Sequence, residues 1–197
     1  MVSSLAPGFL LASPPVGDPN FDRTVVLLVL HGSAGALGFV VNRRATLTVG
    51  ATLRLAGHEE VSADCVACPV HVGGPVQPNS GWVLGRALGL NDASQAIRVG
   101  AHLELSSSRQ AFADLAHDLG ALGPRELDPR GRAVFLGYSG WGSGQLEQEI
   151  AHGTWLPSPF DESLLLDVEP EHRWERAYAL HGLNPASLMS MRNVGLA

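Results

Sequence analysis

The sequence predicts an α+β fold. Three observations carry that reading: short β-branched apolar runs broken by glycine and proline, three segments with helical periodicity toward the C-terminal half, and no regular strand-helix alternation. The 197 residues suit one domain, and the 45% apolar and 16% charged content leaves no tract that composition marks as a linker or as disordered. The expected organisation is therefore one domain over 1–197.

Phe9 to Ala12 reads as a short strand, and Pro14-Pro15 and Pro19 then force an irregular connection. Thr24 to His31 is a near-continuous apolar run suited to a central strand buried on both faces. Gly32-Ser33-Ala34-Gly35 turns the chain into a strand over Ala36 to Asn42. Thr46 to Ala56 is expected to be a helix closed by Gly57. Strands are expected at Val70 to Val72, Trp82 to Leu84, Ile97 to Val99 and His102 to Leu105.

Ser107 offers an N-cap for a helix carrying Phe112, Leu115, Ala116 and Leu119 on one face, ended by Gly120, Gly123 and Pro124. A strand over Ala133 to Tyr138 and a helix over Gln145 to His152 follow. Leu164 to Leu166 reads as a strand, and Glu171 to His181 as a helix with Trp174, Ala177, Tyr178 and Leu180 inward.

All thirteen basic residues are arginine, so lysine-dependent chemistry, including Schiff bases and the phosphate-binding P-loop, is excluded. The net charge of −6 and the lack of a basic face argue against direct nucleic-acid binding. The first thirteen residues carry no positive charge and are interrupted by Pro7-Gly8, so no export signal is expected. No apolar run is long enough to span a bilayer, and two cysteines make no disulfide framework. A cytoplasmic location without membrane insertion is the expectation.

The segment Gly137 to Glu149 runs from a strand end through a glycine-rich loop into a helix. Such a junction offers free N–H groups to an anion, and Trp141 could cover a ligand. The competing structural reading is that the glycines only permit tight turns while Tyr138 and Trp141 fill the core. Glu147, in the first helical turn, favours the helix dipole, and Glu149 falls on a different face. The other histidines, His31 among them, stand without ligand spacing.

Phe21-Asp-Arg-Thr-Val25, Gly38-Phe-Val-Val-Asn42, Gly73-Gly-Pro-Val76 and Gly137-Tyr-Ser-Gly-Trp-Gly-Ser-Gly-Gln-Leu-Glu147 resemble, in order and spacing, the pattern of the bacterial YqgE/AlgH family. The resemblance extends over nearly the whole chain. It implies one domain with a mixed, coiled or bifurcated β-sheet packed by helices. It also implies a regulatory role with no defined biochemical activity. Arg44 departs from the pattern, in which proline is common after the Asn-basic pair.

Three functions compete. The first is a non-enzymatic binding or regulatory protein, acting on transcription indirectly through a protein partner or small ligand. Its expected surface comprises Asn42, Gly73, Gly74, Pro75, Tyr138, Ser139, Trp141, Gly142, Gly144, Gln145 and Glu147, with two glycine turns sharing one cleft. The second is a serine-hydrolase-type enzyme using Ser139 in Gly137-Tyr-Ser-Gly-Trp141, a near miss of the nucleophile elbow, with Asp161 or Asp167 and His172 or His181 in hydrolase order. The third is a zinc or redox site at Cys65-x-x-Cys68 with His58 and His71, which lacks the second ligand pair of a structural zinc site. No catalytic residue, metal ligand or cofactor is assigned.

Overall fold

The computed structural model describes residues 4–14, 18–58, 61, 68–86, 88, 90, 92–117, 132–185 and 187. These carry ten strands and five α-helices, an α+β fold with a mixed sheet. They fall into two units, residues 1–43 with 139–197, and residues 44–138.

In the first unit, β1 (Gly8–Ala12), β2 (Val25–Gly32) and β3 (Gly35–Val40) form an antiparallel ladder. β3 pairs with the last residues of β9 (Ala133–Trp141), Gly38 lying opposite Ser139. On the far side β1 pairs with β10 (Trp155–Pro159), which carries Pro157 and Pro159 and forms the edge. Prolines suit an edge strand because they offer no donor to a further neighbour. α3 (Gln145–Ala151), α4 (Glu162–Leu166) and α5 (Pro170–Leu180) complete the unit, and Leu10, Val26, Leu28, Trp141, Leu146 and Trp155 share its core.

In the second unit, β4 (Arg44–Thr48) pairs with β5 (Pro69–Val72), which runs parallel to the first half of β9. The other side of β9 pairs with β6 (Val76–Gly85), followed by β8 (Leu103–Ser106) and β7 (Ile97–Val99). α1 (Val49–Leu55) and α2 (Arg109–His117) bury Val49, Leu53, Ala111 and Leu115 against Val70, Val83 and Val134.

Several sequence expectations change. The segment expected as a helix from Thr46 begins as strand, and the helix starts at Val49 because the Thr48 hydroxyl accepts from Ala51 N–H. Ser108, not Ser107, caps α2, its hydroxyl accepting from Ala111 N–H at 3.2 Å. Leu164 to Leu166 is helical and not a strand, since Asp161 accepts from Ser163 N–H and nucleates α4. β10 was not anticipated at all. Leu180, expected inward, is 50% exposed, while Trp174, Ala177 and Tyr178 are buried. In β2 burial covers Val25 to Val29 and ends at Leu30. Among the described residues, no helix is long and apolar enough to cross a membrane.

Candidate functional site

The glycine-rich loop of the first unit is built as a closed polar network. The Trp141 indole N–H donates to Glu149 Oε2 at 2.9 Å, and the Trp155 indole N–H donates to the same oxygen at 2.7 Å. Gln145 donates to the other oxygen at 2.9 Å, and its own Oε1 accepts from Gly142 N–H at 3.0 Å. The two indoles meet edge to face. Ser143 Oγ donates to the Ser33 carbonyl at 2.7 Å, tying the loop to the β2–β3 turn.

Next to it, Leu5 N–H donates to His31 Nδ1 at 3.0 Å, so a neutral His31 carries its proton on Nε2 and donates it to Glu147, also at 3.0 Å. The Glu147 carboxyl is held below its ordinary value, first by its own backbone N–H and then by the His31 hydrogen bond.

These contacts favour the structural reading of the loop over the anion site. Trp141 is 7% exposed and packs in the core of the first unit. The Gly142 N–H is already occupied, and α3 is a seven-residue helix. Ser139 is corrected too. It is fully buried within β9, which continues to Trp141, so the strand does not end at the serine as an elbow requires. Asp161 caps α4, and His181 Nε2 lies 2.8 Å from Ser158 Oγ.

Asn42 bridges backbone: its Oδ1 accepts from Val25 N–H and its Nδ2 donates to the Arg23 carbonyl, both at 2.8 Å. The zinc reading finds no support among the described residues, where no group of three His, Cys, Asp or Glu side chains is placed to share a metal. Cys68 lies in the apolar core and His71 packs on Phe135. Cys65 lies outside the described residues.

In the second unit, Gly73 N–H donates to the Leu136 carbonyl, and a Cβ on Gly137 would meet the Gly74 carbonyl at 2.5 Å and Pro78 Cα at 3.2 Å. Gly73, Gly74 and Gly137 are thus packed backbone to backbone, beside exposed Pro75 and beside Tyr138, whose ring meets Trp82 edge to face. The β6–β9 register runs from Val76 opposite Tyr138 to Gly81 opposite Leu136, leaving residues 77–80 to bulge over Gly137. Gln77 takes φ 46°, a left-handed conformation rare for a non-glycine residue. The bulge pushes Pro78 and Asn79 outward.

Pro78 and Asn79 form one wall of a groove of about 400 Å³. Leu47, Thr52, Leu55 and Ala56 form another, and Gly81, Ser107, Phe112 and Leu136 complete it. Leu55 stands 79% exposed at the rim. The Phe112 ring lies where a Cβ on Gly81 would be, at 2.7 Å. Among the described residues, no titratable side chain lines the groove. Asn79 and Ser107 make no side-chain hydrogen bond to another described residue.

Sequence reading passed over the groove, because an exposed leucine on a short helix gives no signal by itself. It also set aside His31 and Glu149, although Trp141, Gln145 and Glu149 recur at intervals of four.

The chain belongs to the AlgH-like family, whose model matches residues 9–186. It is 40% identical over 192 residues to a UPF0301 protein of Anaeromyxobacter dehalogenans strain 2CP-C, covering 95% of this chain and 93% of that one. A UPF0301 protein of Myxococcus xanthus is 40% identical over 200 residues, with 98% and 99% covered. Among solved structures, the AlgH protein of Pseudomonas aeruginosa matches with a TM-score of 0.74 and 35% identity, over 95% of this chain and 94% of the other.

Proposed function

We propose that this AlgH-like chain is a non-enzymatic binding protein of the cytoplasm, which takes a small uncharged apolar molecule in the groove of its second unit. A regulatory role would then pass through what it binds and not through contact with DNA. The observation that carries this reading is the lining of the groove: apolar walls with neutral hydrogen-bonding groups at Asn79 and Ser107, and among the described residues no acid, base or charged group. Its volume of about 400 Å³ is within the range of small-molecule sites. Catalysis would need a general base or an activated nucleophile there, and the hydroxyls of Thr52 and Ser107 have no partner of that kind among the described lining residues. Burial of Ser139 and the internal use of the Gly142 N–H further favour binding over chemistry.

The test is titration of the full chain with N-phenyl-1-naphthylamine, an uncharged fluorescent probe. A saturable fluorescence rise that is lost in Leu55→Asp is expected. No saturable binding, or binding unchanged in Leu55→Asp, overturns the reading. So does labelling by a serine-directed fluorophosphonate that disappears in Ser139→Ala. Binding of an apolar peptide in preference to the probe would assign the groove to a protein partner instead.

A further inference from the structure

Arg23 occupies a conformation that arginine rarely adopts. Its φ is 51°, and the loop around it is clamped from several directions. The Arg43 guanidinium donates to the carbonyls of Pro19, Asn20 and Asp22. The Asn42 amide holds the Arg23 carbonyl, and Thr24 closes back on Phe21. A left-handed arginine persists only where its surroundings over-determine it, and such residues cluster at ligand sites.

What the clamp presents is the Arg23 side chain. Its guanidinium carbon lies 5.8 Å from the ring centroid of Trp174, itself fixed by an indole N–H to the Ala12 carbonyl at 2.9 Å. No hydrogen bond or ion pair engages the guanidinium among the described residues. A guanidinium over an aromatic face keeps its in-plane N–H donors free for an oxyanion. The same two residues line a cavity of about 460 Å³ with Glu175, Ala179, Leu183 and Pro185.

We propose that this cavity is a ligand site for a small organic oxyanion, a carboxylate or a phosphate monoester, carried on an apolar body. Arg23 takes the anion through paired N–H donors, and Ala179, Leu183 and Pro185 pack the body. The site lies within the first unit and does not depend on the groove reading.

The experiment is calorimetric titration of the full chain with phenylacetate and with phenyl phosphate, benzyl alcohol serving as the neutral control. One anion is expected to bind saturably, and the tighter of the two names the source of the oxyanion. Benzyl alcohol should bind about tenfold more weakly or not at all. Arg23→Gly should weaken the anion at least about tenfold while leaving the melting temperature equal or higher, because glycine accepts the left-handed backbone without strain. A purely structural Arg23 would instead show a lowered melting temperature with binding intact. Should circular dichroism show that Arg23→Gly alters the fold, Arg23→Lys carries the test: it keeps the charge, loses the fork, and should bind more weakly. Failure of both anions to bind, equal binding of the alcohol, or wild-type affinity in the folded Arg23 variant overturns the proposal.

Discussion

Trp141 and Glu149 are joined by an indole N–H to carboxylate hydrogen bond of 2.9 Å, and the accepting oxygen is shared with Trp155. One carboxylate therefore serves two indoles that are 7% and 3% exposed. Removing it strands both donors where water does not readily replace it. Glu149→Ala should cost on the order of 2–6 kcal/mol, at about 1–3 kcal/mol for each buried donor left without a partner. Glu149→Gln, which keeps one carbonyl acceptor, should cost less. Urea denaturation followed by circular dichroism measures both, and equal stability of Glu149→Ala and wild type would contradict the arrangement.

The Glu147 carboxyl, held by its own backbone N–H and then by His31, sets a pH dependence. The folded carboxyl is depressed below its ordinary value of 4.5, so its stabilisation is fully present above that value and is lost as pH falls through the folded pKa. Glu147→Gln should therefore be less stable than wild type near neutrality, with the difference closing on acidification. Melting temperatures of the two proteins across an acid series test the sign. A gap that widens toward low pH would be the opposite outcome.

Two glycines in the same unit separate steric need from conformational need. Gly35 has φ 131°, and a Cβ there would stand 2.2 Å from the Trp141 carbonyl oxygen. Gly144, with φ 72°, faces open space. Gly144→Ala should cost about 1–2 kcal/mol, the left-handed penalty alone. Gly35→Ala should cost about 3 kcal/mol or more, because the clash is with backbone that cannot rotate away. Chemical denaturation ranks the pair, and a milder Gly35→Ala would be inconsistent with the strand spacing.

The strand Val25–Gly32 and the part of Ala133–Trp141 up to Tyr138 were legible because consecutive β-branched and apolar residues leave few alternatives, whereas the glycines after Tyr138 read as loop. Leu164 to Leu166 was misread for the same reason, since three apolar residues in a row fit a strand or a buried helical turn equally. Asp161, two residues before Ser163, held the distinguishing signal as an N-cap. β10 was hidden by Pro157 and Pro159, which weaken a strand reading yet are compatible with an edge paired on one side. The glycine turns were visible in sequence, but the use of Gly137 was not. Its missing side chain makes room for the carbonyls of Gly74 and Val76 and for the bulge carrying Pro78, a relation between segments about sixty residues apart. The left-handed Arg23 was equally invisible, since local sequence would place glycine or asparagine in that conformation.

Arg173 offers the sharpest test of how the first unit is held. It is 3% exposed, and its Nε donates to the carbonyls of Leu164 and Val168, one terminal nitrogen to Leu165 and the other to Val41. Leu164 and Leu165 lie in the last turn of α4, where helix carbonyls have no intrahelical partner. The guanidinium thus closes a helix end and ties it to the residue after β3. Lysine keeps the charge but concentrates its donors at one point, so it cannot reach carbonyls spread around a planar fork. Methionine fills much of the volume and abandons all four acceptors. Arg173→Lys and Arg173→Met should each lose at least about 3 kcal/mol, a fall of roughly 6–12 °C in melting temperature for a chain of this size. Calorimetry on the two variants decides it: a loss under about 1 kcal/mol in either would mean that those carbonyls find other donors.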